Sequence, residues 1–327
     1  MADNLQIGIV GLGRIGGNLV RQAVEKGIET IGFTSPHKHD DLVEIGMKKI
    51  SSLDEFIEKL QRPRKVFLYV PSGYIVDKFI DELSYILSEG DIIVDGGNSY
   101  WGDSVRRSEF LKERKIHFVD LGTSGGTQGA RNGACFMAGG DDAAVNEIKP
   151  LLHKLALRGG FVHAGPSGAG HFVKLVHNGI EFGMLQAIGE GVDLLENYKD
   201  RLNIADVLGC WRNGSVIRSW LVDLMEQQYR DHGGLEKIPA HVEDTGEVNW
   251  LVSDALQMEV AVPVITASVM QLFISRDPQK NWAKAVAMMR NGFGEHGFGV
   301  DERAITERTE GRTGDFYRWK NNNTKKD

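Results

Sequence analysis

The stretch IGIVGLGRIGGNLVRQA, residues 7–23, decides the fold. It opens on an apolar run of strand type, and Gly11, Gly13 and Gly16 follow as G-x-G-x-x-G where that run ends. An amphipathic pattern then runs from about Ile15 to Lys26, so the segment predicts strand, tight turn and helix in succession. In that setting the three glycines serve in turn a tight bend, close approach of backbone to a pyrophosphate, and close packing of helix on strand. The free N–H groups of the first helical turn then face the phosphates.

Working outward, short β-rich runs alternate with helical patterns. The strands expected are ETIGF (29–33), KVFLYV (65–70), DIIVD (91–95), IHFVDLG (116–122), CFMAGG (135–140) and FVHAG (161–165), with helices around 74–88 and 142–156. Such alternation predicts parallel βαβ units and a sheet covered on both faces. The turn-rich GPSGAG (165–170) marks the expected boundary. Beyond it, long amphipathic patterns cover Ala169 to about Asn197, 204–229, 250–258, 262–275 and 279–290, with Pro263 suited to the first turn of its helix. The expected architecture is α/β: a doubly wound Rossmann-type domain over 1–166, an all-helical domain over 167–300 and a polar, basic tail over 301–327, disordered or draped over a partner subunit.

Composition narrows the classes. The 327 residues are 41% hydrophobic and 25% charged, with a formal net charge of −7. That balance fits a soluble globular chain of two domains. With no long Lys/Arg run, a nucleic-acid partner is not expected. No apolar run reaches the length of a membrane span, and MADNLQIGIV carries neither a basic leader nor a cleavage site, so a cytoplasmic location is the expectation. Cys135 and Cys210 stand far apart without a CxxC partner, which suggests neither a disulfide framework nor a zinc site; they read as buried or incidental thiols.

Cofactor choice is read at the end of the second strand, in GFTSPHKHDD (32–41). Thr34 and Ser35 stand where an acidic residue would hold a ribose 2′-hydroxyl, and His37 and Lys38 follow. Hydroxyls and basic groups suit a 2′-phosphate, so NADP is expected; NAD would be served if Asp40 or Asp41 folded back. Leu12, Arg14 and Ile15 in the glycine loop, Val70 and Pro71 after the KVFLYV strand, and Asn98 complete the cofactor contacts expected.

Three polar clusters remain: DGGNSYWGDSVRR (95–107), DLGTSGGTQGARNG (120–133) and GHFVKLVHNGIEFG (170–183). The last gathers Lys174, His177, Asn178 and Glu181 on one helical face, a pattern equally compatible with a solvated, i,i+4-paired stripe. Together with GLGRIGGNL, HVEDTGEVNW (241–250), VPVITASV (262–269) and MRNGFGEHG (289–297), these clusters resemble 6-phosphogluconate dehydrogenase, the decarboxylating enzyme, in its short bacterial form. The resemblance spans nearly the whole chain.

The resemblance implies a sugar-acid substrate and the following roles. Lys174 would be the general base for the substrate's 3-hydroxyl, which requires a neutral amine and hence a depressed pKa. Glu181 would protonate C1 of the enediol left by decarboxylation. Asn178 and Asn98 would hold the hydroxyl and carbonyl oxygens. His177, Ser124, Gly125, Gly126 and Thr245 resemble substrate binders, and Arg290 and His296 would be donated to a neighbouring subunit's site, implying a homodimer or homotetramer. No metal is required, because the β-keto acid carbonyl accepts the electrons released as CO2 leaves. The sequence departs from the family at its phosphate pocket. Phe182 stands where a tyrosine is usual and Leu272 near where an arginine is usual, with Arg276 one turn on as a substitute; a lysine of the longer forms aligns near Glu243.

Overall fold

The computed structural model describes residues 5–34, 39–294, 297–302 and 304–305. The chain divides into two units. The first runs up to Asn178 and takes in Glu247–Ser253; the second comprises Gly179–Gly246 and the described residues from Asp254 onward.

The first unit carries an eight-stranded sheet: β1 (Gln6–Val10), β2 (Glu29–Phe33), β3 (Lys48–Ile50), β4 (Lys65–Leu68), β5 (Ile92–Asp95), β6 (His117–Ser124), β7 (Ala134–Gly140) and β8 (Ala156–Gly165). Their order is β3-β2-β1-β4-β5-β6-β7-β8. The helices along the chain are α1 (Arg14–Glu25), α2 (Asp40–Glu44), α3 (Glu55–Lys59), α4 (Tyr74–Ile86), α5 (Trp101–Lys112), α6 (Gly126–Asn132), α7 (Asp142–Leu155), α8 (Ala169–Glu196), α9 (Ile204–Trp211), α10 (Trp220–His232), α11 (Glu247–Gln257), α12 (Pro263–Arg276) and α13 (Asn281–Gly294).

The period-2 alternation of strand side chains builds two cores. Ile7, Ile9, Phe67, Ile92 and Val94 point to one side, where they pack with Leu19, Val20 and Ala23 of α1 and Ile148 and Leu152 of α7. Val10, Val66, Leu68 and Ile93 point to the other, with Phe56 of α3, Ile80 and Leu83 of α4 and Leu111 of α5. Both faces of the sheet are therefore buried, as the near-continuous apolar strands demand.

Four features depart from the expectation. The sheet is not wholly parallel, because β7 returns antiparallel to β6, with Leu121 opposite Ala138; the short α6 turn between them is too brief for a crossover. The edge strand β3 and the helices α2, α3, α5 and α6 carry too few residues or too mixed a pattern to be read from periodicity. The pattern over 204–229 is two helices, because Gly214 adopts a left-handed φ of 82° and Ser219 caps the second, accepting from Val222 N. Cys135 and Cys210 are both exposed.

In the second unit Val192, Ile204 and Leu208 form a small core, with Trp211, Met225 and Tyr229 packed against it. Glu226 beneath it receives Arg212 Nη1 at 2.9 Å and also Arg230. Of the expected tail, 306–327 lies outside the described residues.

Candidate active site

The strand order reverses between β1 and β4, and the glycine loop follows β1 there. This is the position at which open α/β sheets bind ligands. Gly11 has φ of 95°, and a Cβ on it would lie 2.3 Å from Tyr69 O just after β4. A Cβ on Gly16 would lie 2.0 Å from Gly11 O, whereas one on Gly13 would meet nothing within 4 Å. The outer glycines are thus fixed by backbone packing and the middle one borders open space, a cradle that fits a pyrophosphate. Leu12 is buried, Ile15 half-buried and Arg14 exposed. Tyr69 N donates to Val10 O at 2.8 Å, and Val70 lies beside the loop, its Cγ1 3.0 Å from where a Cβ on Gly11 would stand. The Tyr69 phenol is pushed well above its ordinary pKa by burial and by Asp95, so it stays neutral.

A cleft next to the loop is bordered by Arg14, Arg21, His39 and Asp41, and Arg21 donates to the Asp41 carboxylate. Thr34 is buried at the end of β2, its N–H donating to Ile50 O at 3.2 Å. Ser35, His37 and Lys38, as well as His296, lie outside the described residues.

Asn98 sits on the loop between β5 and α5, which a buried charge network holds. Asp95 accepts from Ser99 Oγ at 2.7 Å, from Gly97 N at 3.1 Å and from Arg107 Nη1 at 3.3 Å. Arg107 is itself 1% exposed and also donates to Asp77 at 2.8 Å and to Gly73 O at 3.2 Å. Burial works against ionised Asp77, but the guanidinium groups of Arg107 and Arg106 outweigh it and hold its pKa below the usual carboxylate value. So anchored, Asn98 Nδ2 donates to Glu247 Oε1 at 2.8 Å.

The start of α8 is built by the sheet. Asp120 on β6 is fully buried and accepts from Gly168 N at 2.7 Å and His171 N at 2.8 Å, so it satisfies N–H groups that a helix start leaves open. A Cβ on Gly170 would lie 2.3 Å from Asp120 O, and one on Gly122 would lie 2.6 Å from Lys174 Cβ. Only glycines let α8 approach β6 this closely, and the approach sets Lys174 against the strand.

A hydrogen-bonded chain runs from there. Lys174 is 9% exposed, and its Nζ donates to Asn178 Oδ1 at 2.7 Å. His177 Nδ1 lies 3.2 Å from the same oxygen and its Nε2 3.0 Å from Ser124 Oγ. The same Nδ1 lies 3.4 Å from Lys174 Nζ, so the imidazole bridges the lysine–asparagine pair and the serine. Ser124 ends β6, and the Gly125-Gly126 turn follows with φ of 112° and 59°. Lys174 and Asn178 share a small pocket with Asn98, Ser99, His171, Glu247 and Trp250. The first unit therefore brings together Lys174, His177, Asn178, Ser124 and Asn98.

In the second unit Glu181 is half-buried farther along α8. Phe182 and Leu272 are half-buried, and Thr245 and Arg290 are exposed. Arg276 is engaged by carboxylates, its Nη1 lying 3.1 Å from Asp244 and 3.4 Å from Glu243. Among the described residues no group of three or more His, Cys, Asp or Glu is placed to hold a metal ion, and no helix is long and apolar enough to cross a membrane.

Comparison with known proteins fits this arrangement. Residues 6–165 match the NAD binding domain of 6-phosphogluconate dehydrogenase, and residues 170–310 match the C-terminal domain of 6-phosphogluconate dehydrogenase. The chain belongs to the 6-phosphogluconate dehydrogenase family. It is an oxidoreductase of that type. YqeC of Bacillus subtilis, provisionally named a 6-phosphogluconate dehydrogenase, is 41% identical over 89% of this chain and 98% of its own. The NAD(+)-dependent, decarboxylating 6-phosphogluconate dehydrogenase of Haloferax volcanii is 37% identical over the same shares. The Plasmodium falciparum 6-phosphogluconate dehydrogenase, solved in apo form, with NADP+ and with 6-phosphogluconate, superposes with a TM-score of 0.77 at 26% identity, covering 94% of this chain and 68% of that one.

Several residues of these sites escape sequence reasoning. His171 lies three residues before Lys174 and so extends the same helical stripe, the one local signal that marks it. Glu247 and Trp250 fall within the HVEDTGEVNW motif and Asp41 within the stretch read for cofactor choice, but their meeting with Asn98 and Arg21 comes only through the fold, and no local pattern marks those pairings.

Proposed function

We propose that the protein oxidises and decarboxylates 6-phosphogluconate to ribulose 5-phosphate and CO2, with NADP as its cofactor. The observation that carries this is the hydrogen-bonded chain Lys174, Asn178, His177, Ser124 beside Asn98, with Lys174 buried and the other three half-buried. NADP, when bound, supplies the acceptor for the hydride leaving C3. Lys174 takes the proton of the 3-hydroxyl, for which a base must present a neutral amine. Asn178 and Asn98 orient the hydroxyl and carbonyl oxygens, and Ser124, Gly125, Gly126 and His177 hold the carboxylate end. Glu181 delivers a proton to C1 after CO2 departs. Residues 1–166 bind the dinucleotide and lend Asn98, Ser124, Gly125 and Gly126 to the substrate, while 167–300 serve the substrate and a second copy of the chain, with Thr245 assigned to the substrate and Arg290 and His296 to the neighbouring subunit's site on resemblance. A homodimer or its multiple in the cytoplasm follows from the same reading.

One observation favours a second reading, a β-hydroxyacid dehydrogenase acting on a different sugar acid. Arg276 is already neutralised by Asp244 and Glu243, and Phe182 and Leu272 offer no hydrogen bond to a phosphate. A panel of 3-hydroxy sugar acids, phosphorylated and not, assayed with NADP and NAD, separates the two. One CO2 per NADPH from 6-phosphogluconate supports the first; turnover without CO2 supports the second. Tight NADP binding with no turnover of any sugar acid overturns both.

A further inference from the structure

His171 is 2% exposed and lies three residues before Lys174 and seven before Asn178 on α8, so it shares their face. Its Nδ1 lies 2.7 Å from Ser104 Oγ, on a fully buried residue of α5. The same hydroxyl is 3.4 Å from Tyr100 O. Tyr100 O already accepts from Ser104 N at 3.3 Å, so the one serine proton is left for the short contact with Nδ1. Nδ1 is then the acceptor, and the proton of the neutral ring sits on Nε2.

That nitrogen is buried and makes no hydrogen bond, while the ring forms part of the wall of the pocket shared by Asn98, Lys174, Asn178 and Glu247. Lys174, His177 and Asn178 satisfy one another; His171 is left with a donor and no acceptor. A buried donor in this state is costly and uncommon, and it lines the same pocket as Lys174 and Asn178. We propose that His171 is a substrate-positioning residue, its Nε2–H completing its hydrogen bonding on an oxygen of the sugar acid bound beside Lys174. This rests on reading the pocket as the site of a 3-hydroxy acid dehydrogenase. Ser104 is then a positioning residue one step removed, because it fixes the tautomer that makes Nε2 a donor. A substrate lacking an oxygen at that point leaves the donor unmatched and is selected against.

The test begins with the wild-type protein labelled with 15N at histidine, its ring nitrogens recorded by NMR and the His171 signals assigned by their absence from His171→Gln. The expected free-state signature is an unprotonated Nδ1 and a protonated Nε2, and the Nε2 signal moves when 6-phosphogluconate or another acid of the panel is added. Kinetically, His171→Leu lowers kcat/KM by about ten- to a hundredfold with the Kd for NADP unchanged, as loss of one hydrogen bond to a charged or polarised group predicts. His171→Gln, which keeps an N–H donor at similar reach, recovers most of that loss. An Nε2 signal that stays in place on addition of an acid that is turned over overturns the proposal, as does a His171→Leu enzyme as active as wild type. Should no sugar acid be oxidised, the functional reading fails separately: the ring signals need no turnover, and a bound acid that leaves Nε2 unmoved overturns the contact while one that moves it supports it.

Discussion

Lys174 Nζ donates to Asn178 Oδ1 across 2.7 Å, one turn along α8. The contact fixes the direction of a long, otherwise flexible side chain and sets the amine at the wall of the pocket. In the role proposed for it, Lys174 acts on the substrate and not on the glycine loop. Replacing Lys174 with Ala is expected to lower kcat by about 10²–10⁴, the range of a lost general base, with the Kd for NADP unchanged. Steady-state rates and calorimetric titration of NADP check this, and an equal loss of NADP affinity would show that the role is misassigned.

Glu181 is assigned a later step, so its removal should separate the steps. Glu181→Gln is expected to leave the first turnover of NADPH nearly intact while slowing the steady state, which appears as a burst in stopped-flow absorbance. If the burst and the steady-state rate fall together, the carboxyl acts in oxidation instead.

What the sequence discloses, and what it hides, follows from range. The glycine loop, the strands around it and the Lys174 stripe are local patterns, and the period of side chains alone places them on a turn, a sheet or one helix face. The antiparallel return at β7 depends on how little chain separates Ser124 from Ala134, and the capping of α8 by Asp120 joins residues nearly fifty positions apart. Glu247 meets Asn98 across a still longer separation. Such partners leave no periodic trace. His171 does leave one, but a histidine in an apolar stretch reads as core until its unmatched nitrogen is seen.

The Asp95–Arg107 pair holds the loop that carries Asn98, and both side chains are essentially inaccessible. Arg107→Met leaves Asp95 as an uncompensated buried charge, so the fold is expected to lose about 3–5 kcal/mol. Urea denaturation measures it. The double change Arg107→Met with Asp95→Asn should recover part of the loss, and additive losses would deny the coupling.

Asp77 gives this network a pH dependence. Its folded-state pKa is depressed, so its contribution is fully present above the unfolded value near 4 and is lost as pH falls through the folded value. Because the carboxyl is about a third exposed, the contribution is modest, about 1 kcal/mol or less. Wild type should therefore melt above Asp77→Asn at neutral pH, with the gap closing below pH 4. A gap that widens on acidification would reverse the sign.

Arg21 donates to Asp41 at the rim of the cleft beside the glycine loop, and both side chains are substantially exposed. A 2′-phosphate bound in this cleft would meet a carboxylate that occupies Arg21 and repels the phosphate itself, while a 2′-hydroxyl is indifferent to the repulsion. Neutralising it by Asp41→Asn should therefore tighten NADP and leave NAD unchanged. Exposed ion pairs are weak, so the expected gain is about two- to fivefold in Kd, shrinking as salt is raised. Titrations of both dinucleotides at low and high salt decide it. Equal shifts for NADP and NAD would place Asp41 outside the discrimination of cofactors and leave that choice to other residues, Ser35, His37 and Lys38 among them.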